Sequence, residues 1–139
     1  MEQLKIQPIL LGGDINCYSV ARAFHEAYGV TSIAIGRYPM GATNDSKIVK
    51  CTYLPDFDTE AVFLPTLEKV AAHFEGKGTK LILMGCTDHY ASLIMEYKHA
   101  LSPKFITPYI DAQLRDRLIQ KETFYTLCDE MGIDHPDTV

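Results

Sequence analysis

Apolar and polar positions along the 139-residue chain alternate between two rhythms. Residues 8–11, PILL, form a short continuous apolar run closed by Gly12 and Gly13, the pattern of a strand buried on both faces. The period then lengthens: Val20, Phe24, Ala27 and Tyr28 share one helical face, and Gly29 stands where a left-handed C-terminal cap belongs. TSIAIG, residues 31–36, is a second apolar run ending at Gly36, which completes strand, helix and strand within the ~30 residues of a parallel βαβ unit.

Residues 37–47 are rich in turn formers and read as a surface loop, and IVKCTYL, residues 48–54, has the period-two alternation of a third strand. Phe63, Leu67, Val70, Ala71 and Phe74 lie on one helical stripe. Because proline is tolerated only in a first turn, Pro65 places the start of that helix near Leu64. KLILMG, residues 80–85, is the clearest buried strand, and Tyr90, Leu93, Ile94 and Tyr97 mark the helix after it. KFITPYI reads as a short strand broken by Pro108. Ile110, Leu114 and Leu118 begin a fourth helix; Phe124, Leu127, Cys128 and Met131 make a last one, stopped by Gly132. GIDHPDTV then starts what looks like another extended segment, as if the chain were cut at a junction with a further domain. Strands alternating with helices predict an α/β fold, a Rossmann-like three-layer sandwich with a mainly parallel sheet of about five strands.

The bulk numbers narrow the function. A net charge of -5, with 13 Lys and Arg against 18 Asp and Glu, disfavours nucleic acid as a partner, since its binding depends on neutralising phosphates. Cys17, Cys51, Cys86 and Cys128 are widely spaced with no C-x-x-C pair, which removes zinc-ribbon and thioredoxin-like readings and suits reduced thiols in a cytoplasmic protein. The N-terminal apolar run is too short for a signal peptide, and no window is long enough to span a bilayer.

The opening loop fails as a nucleotide fingerprint. In Gly12, Gly13, Asp14, Ile15, Asn16, Cys17 the third glycine of G-x-G-x-x-G is missing, Asp14 would repel a pyrophosphate, and no G-K-[ST] follows. Asp14 reads as a helix cap; Gly12, Gly13 and Asn16 are equally open to a turn role or to receiving a substrate anion at the helix N-terminus. Ligands of open α/β sheets bind at the carboxyl ends of strands, so the second loop to consider is residues 85–93, GCTDHYASL. There Thr87 or Asp88 suits a helix cap, His89 a surface or packing histidine, and Cys86 a small apolar filler with nothing nearby to activate it. No catalytic constellation and no metal-ligand spacing is visible.

Residues 118–138, LIQKETFYTLCDEMGIDHPDT, carry a pattern that resembles the entry into the ATP-grasp fold: Lys121, Phe124, Leu127, Gly132 and Ile133, Pro136 and Thr138. Together with the two glycine loops, the chain resembles the domain preceding ATP-grasp in carboxylate-amine ligases, most like D-aspartate ligases of peptidoglycan cross-bridges and more distantly the carbamoyl phosphate synthase large subunit. The resemblance implies a pre-ATP-grasp domain over residues 1–120 and the start of an ATP-grasp domain over residues 121–139. It implies a parent that uses ATP and Mg²⁺ to activate a carboxylate as an acyl phosphate for attack by an amine, with neither cofactor held tightly by this chain, which alone would be inert. The small-molecule acid and amine, one of them a possible peptidoglycan precursor, the ATP-grasp domain of the same chain and a second copy in a homodimer are the partners so implied. It assigns Lys121 to the nucleotide phosphates, and Gly12, Gly13, Asn16, Thr87 and Asp88 to the substrate side, with Arg37 and Tyr38 close by. Gln120, where relatives carry a capping Asp or Asn, departs from the pattern. The competing reading is a free-standing nucleotide- or effector-binding module of flavodoxin-like or Rossmann-like form, without catalysis.

Overall fold

A computed structural model of the chain describes residues 4–137. The chain divides into two compact units that part between Tyr109 and Ile110. In the first unit the elements run β1 (Lys5–Leu11), α1 (Ile15–Tyr28), β2 (Ser32–Gly36), α2 (Gly41–Asn44), β3 (Val49–Tyr53), α3 (Glu60–Phe74), β4 (Thr79–Gly85), α4 (Asp88–Glu96) and α5 (Lys98–Leu101). The second holds α6 (Ala112–Ile119) and α7 (Lys121–Met131).

The four strands form one all-parallel sheet in the order β3-β2-β1-β4. Its two faces are coated differently. Leu10 and Ala34 point to the side of Cys17 and Ala21 on α1, while Ile9, Leu11, Ile35, Leu81 and Leu83 meet Phe57, Phe63 and Leu67 and the Tyr90 and Ile94 side chains of α4. Each such aliphatic side chain taken fully out of water is worth roughly 1.5–3 kcal/mol, so this double coating is the main force holding the layers together. The result is the Rossmann-like α/β sandwich expected from the alternating periodicities. Pro8 lies inside β1 one position before the ladder with β2 begins at Ile9↔Ile33, and there the Gln7 side-chain amide donates to the carbonyls of Thr31 (2.9 Å) and Pro8 (3.1 Å).

Three expectations need correction. The sheet has four strands, not about five: KFITPYI contributes a single bridge, Ile82↔Ile106, with Ile106 N–H donating to Leu81 and Leu83 N–H to Ile106. Pro108, two residues on, has no N–H to continue a ladder. The helix expected from Leu64 starts at Glu60, with Pro65 inside it. Its first turn survives because Phe63 N–H donates to the Thr59 carbonyl at 2.8 Å while the Phe63 ring is fully buried, which offsets the bond that Pro65 cannot give. Finally, residues 133–137 are not a strand; His135 instead returns to α7. Thr138, the last position of the ATP-grasp-like pattern, lies outside the described residues, as does Val139.

Candidate functional site

The strand order reverses between β1 and β4: from β1 the chain steps outward to β2 and β3, then crosses to the other side of β1. At such a switch point the loops leaving two neighbouring strands diverge and open a crevice at their carboxyl ends. Here that crevice is a cleft of about 240 Å³ in the first unit, and Gly12, Gly13 and Thr87 line it.

Each wall is built by a local rule. Gly12 adopts φ +134, a conformation that disfavours any side chain, and its N–H donates to Ile35 at 2.9 Å. Buried Thr43 of α2 fixes the next residue, its hydroxyl donating to the Gly13 carbonyl at 2.7 Å. Asp14 is the N-cap of α1, its carboxylate accepting from the N–H groups of Asn16 and Cys17, both at 3.1 Å. These are the donors a bound phosphate would use, so this loop does not fit a nucleotide pyrophosphate. On the opposite wall Thr87 caps α4 by accepting from Tyr90 N–H at 3.3 Å. Gly85 permits that helix to close on its strand, since a Cβ there would stand 2.4 Å from Ala91 N and 2.7 Å from the Tyr90 carbonyl carbon. Tyr109 braces the same point: its hydroxyl accepts from Gly85 N–H at 2.8 Å, and burial pushes its pKa up.

The third wall is charged. Arg37, just past β2, donates through Nε to the Pro55 carbonyl (2.9 Å) and through Nη1 to Asp58 Oδ2 (3.2 Å). His89 Nε2 lies 3.5 Å from the same Asp58 oxygen. Under them Tyr90 packs on Phe57 with ring centroids 5.6 Å apart, and burial together with the Asp58 carboxylate pushes its phenol up to about 12, so it stays neutral. Tyr38 and Met40 complete the lining.

Of the residues singled out from sequence, the cleft therefore gathers Gly12, Gly13 and Thr87, together with Asp14, Arg37, Tyr38 and His89. Asn16 and Asp88 are exposed and do not line it, the Asn16 amide turning to Asp14 Oδ2 at 3.3 Å. Lys121 belongs to the second unit, where it begins α7 and lines a surface hollow of about 410 Å³ with Tyr125, Asp129 and His135. Gln120 makes no side-chain cap, as its chemistry suggested. Asp58 and the approach of His89 to it were not read from sequence: Asp58 sits in a turn 21 residues from Arg37, and only the fold makes them neighbours. Cys17, hydrogen-bonded to Cys86 and buried, has its thiol pushed far above the ordinary range, which supports packing roles for this pair. Among the described residues no group of three or more His, Cys, Asp or Glu could hold a metal ion, and no helix is long and apolar enough to cross a membrane.

Fold and cleft define an α/β domain with a small crevice of mixed polar and apolar lining at its switch point. The whole chain is 41% identical over 140 residues to the D-aspartate ligase of Enterococcus faecium (strain Aus0004) and spans about a third, 33%, of that protein's length. No family model matches the chain, and no solved structure matches it.

Proposed function

We propose that this chain is the N-terminal, substrate-side part of an ATP-dependent carboxylate-amine ligase that acts on D-aspartate in making a peptidoglycan cross-bridge, in the cytoplasm. The observation that carries the reading is the identity to a D-aspartate ligase along the entire chain. The switch-point cleft supports it from the structural side: Asp14 already occupies the Asn16 and Cys17 N–H groups at the start of α1, and the cleft is sized for something small. Small-molecule and cofactor pockets usually run to ~300–1,000 Å³, so 240 Å³ suits an amino acid better than a nucleotide.

In the reaction so assigned, one carboxylate oxygen of the acid attacks the γ-phosphorus of ATP and ADP leaves. The amine then attacks the acyl carbon, phosphate departs, and the amine loses a proton as the amide forms. ATP and Mg²⁺ are assigned to the ATP-grasp part of the parent; in this chain only Lys121, on the family resemblance, is directed to the nucleotide phosphates, a task that suits a flexible ammonium. Gly12, Gly13 and Thr87 shape the substrate side, Asn16 steadies the opening loop through Asp14, and Asp88 stands exposed in the first turn of α4.

The test is ADP release by the full-length protein containing this chain, given ATP, Mg²⁺, D-aspartate and an amine acceptor. Release that requires D-aspartate is expected, with Lys121→Ala raising the KM for ATP. Turnover indifferent to D-aspartate overturns the reading, and tight NAD, FMN or ATP binding by residues 1–139 alone points instead to a free-standing binding module.

A further inference from the structure

Resting on that reading, we infer that Arg37, held by Asp58 and flanked by His89, grips the substrate carboxylate that is not activated and so restricts the cleft to dicarboxylic amino acids. A ligase that phosphorylates one of two carboxylates must hold the other, because otherwise a monocarboxylate of the same size competes on equal terms. Recognition by a charge-assisted hydrogen bond discriminates against such competitors, since the neutral analogue forgoes that stronger bond.

The cleft offers few groups able to do this. The first-turn N–H groups of α1 at Asn16 and Cys17 are taken by Asp14, and Thr87, whose Oγ1 accepts from Tyr90 N–H, has one uncharged O–H left to donate. Arg37 differs. Two of its five N–H groups are fixed, by the Pro55 carbonyl and by Asp58, which locks the plane of the guanidinium while the rest of the fork carries no hydrogen bond among the described residues. A guanidinium oriented in advance is the side chain best matched to a bidentate carboxylate. Its side chain is 50% exposed, so the ion pair with Asp58 adds little stability and does not by itself account for the arrangement. His89, 3.5 Å from the same Asp58 oxygen and lining the same cleft, adds a second nitrogen-bearing edge beside the fork. Asp58, 21% exposed, acts through both as a positioning residue.

The experiment is calorimetric titration of the full-length protein with D-aspartate, D-asparagine and D-isoasparagine, the last two each carrying one carboxylate as an amide. Wild type is expected to bind D-aspartate and to bind one of the monoamides on the order of 10- to 100-fold more weakly, the range of a charged hydrogen bond. Arg37→Gln should bind D-aspartate as weakly as that monoamide and lose the discrimination, Arg37→Lys should recover part of both, and His89→Gln, which leaves the Pro55 contact intact, should weaken D-aspartate several-fold. Wild-type affinity for D-aspartate in Arg37→Gln and His89→Gln, with unchanged circular dichroism, overturns the inference. So does a wild type that binds both monoamides as tightly as D-aspartate. The two readings separate cleanly: D-aspartate-dependent ADP release with Arg37 immaterial sinks only the carboxylate grip. Arg37-dependent discrimination without any ADP release leaves the dicarboxylate site standing and removes the ligase.

Discussion

At the scale of single residues, the cleft depends on side chains that are absent or hidden. Gly85 is the sharpest case, because the Cβ of an alanine would meet backbone 2.4 Å away rather than a movable side chain. Gly85→Ala is therefore expected to cost roughly 3 kcal/mol, the upper range for overpacking, read as a lower urea midpoint. Thr43→Val keeps the shape but removes the donor to the Gly13 carbonyl, for an expected loss of about 1–2 kcal/mol by the same measurement. Ser32 runs the other way: its hydroxyl is fully buried with no hydrogen-bond partner among the described residues, so Ser32→Ala should be neutral or stabilising by up to about 1 kcal/mol. The glycines were legible as turn and strand-end signals, because glycine marks backbone that other residues avoid. Thr43 was not, since nothing in GATN announces that a hydroxyl will reach Gly13, 30 positions earlier.

At the scale of elements, α7 and the segment after it make a small pH-sensitive clasp. The His135 ring stacks on Tyr125 with centroids 4.6 Å apart, and its two nitrogens face Asp129 Oδ1 (2.9 Å) and the Pro136 carbonyl (3.0 Å). Two acceptors favour the doubly protonated ring, and the Asp129 hydrogen bond first, then Pro136, raise its pKa above the ordinary histidine value. The stabilisation is thus fully present below the ordinary histidine pKa and is lost as pH rises through the raised one. Proton NMR of the His135 ring should show that raised titration, with hydrogen exchange of residues 133–135 quickening across the same interval; Asp129→Asn should return the pKa towards its usual value. Helix ends were readable because Gly29 and Gly132 take the left-handed conformations expected of caps, φ 67 and 66. The start of α3 was misread because proline's local penalty was weighed without the core position of Phe63, and the fifth strand because an apolar run cannot reveal that only Ile106 would pair.

At the scale of the whole molecule, periodicity alone led to the α/β sandwich, and the rule that ligands sit at strand carboxyl ends led to the loops after β1 and β4. The order β3-β2-β1-β4 that makes those loops neighbours lies beyond any local pattern, and so does the Arg37–Asp58–His89 wall, assembled from the segment after β2, the turn before α3 and the first turn of α4. That division explains why the two glycine loops were anticipated and Arg37 and Tyr38 were placed beside them, while the pairing of Arg37 with Asp58 and the approach of His89 were missed. The identity that spans the chain ties this architecture to D-aspartate ligase, and the central claim is that the parent activates a carboxylate as an acyl phosphate. Its most direct test is to give the full-length protein ATP, Mg²⁺, an amine acceptor and D-aspartate labelled with ¹⁸O in both carboxylates, and to examine the released inorganic phosphate by mass spectrometry. One ¹⁸O atom per phosphate released is the expected result, whereas amide formation with unlabelled phosphate, or no amide at all, would contradict the assignment.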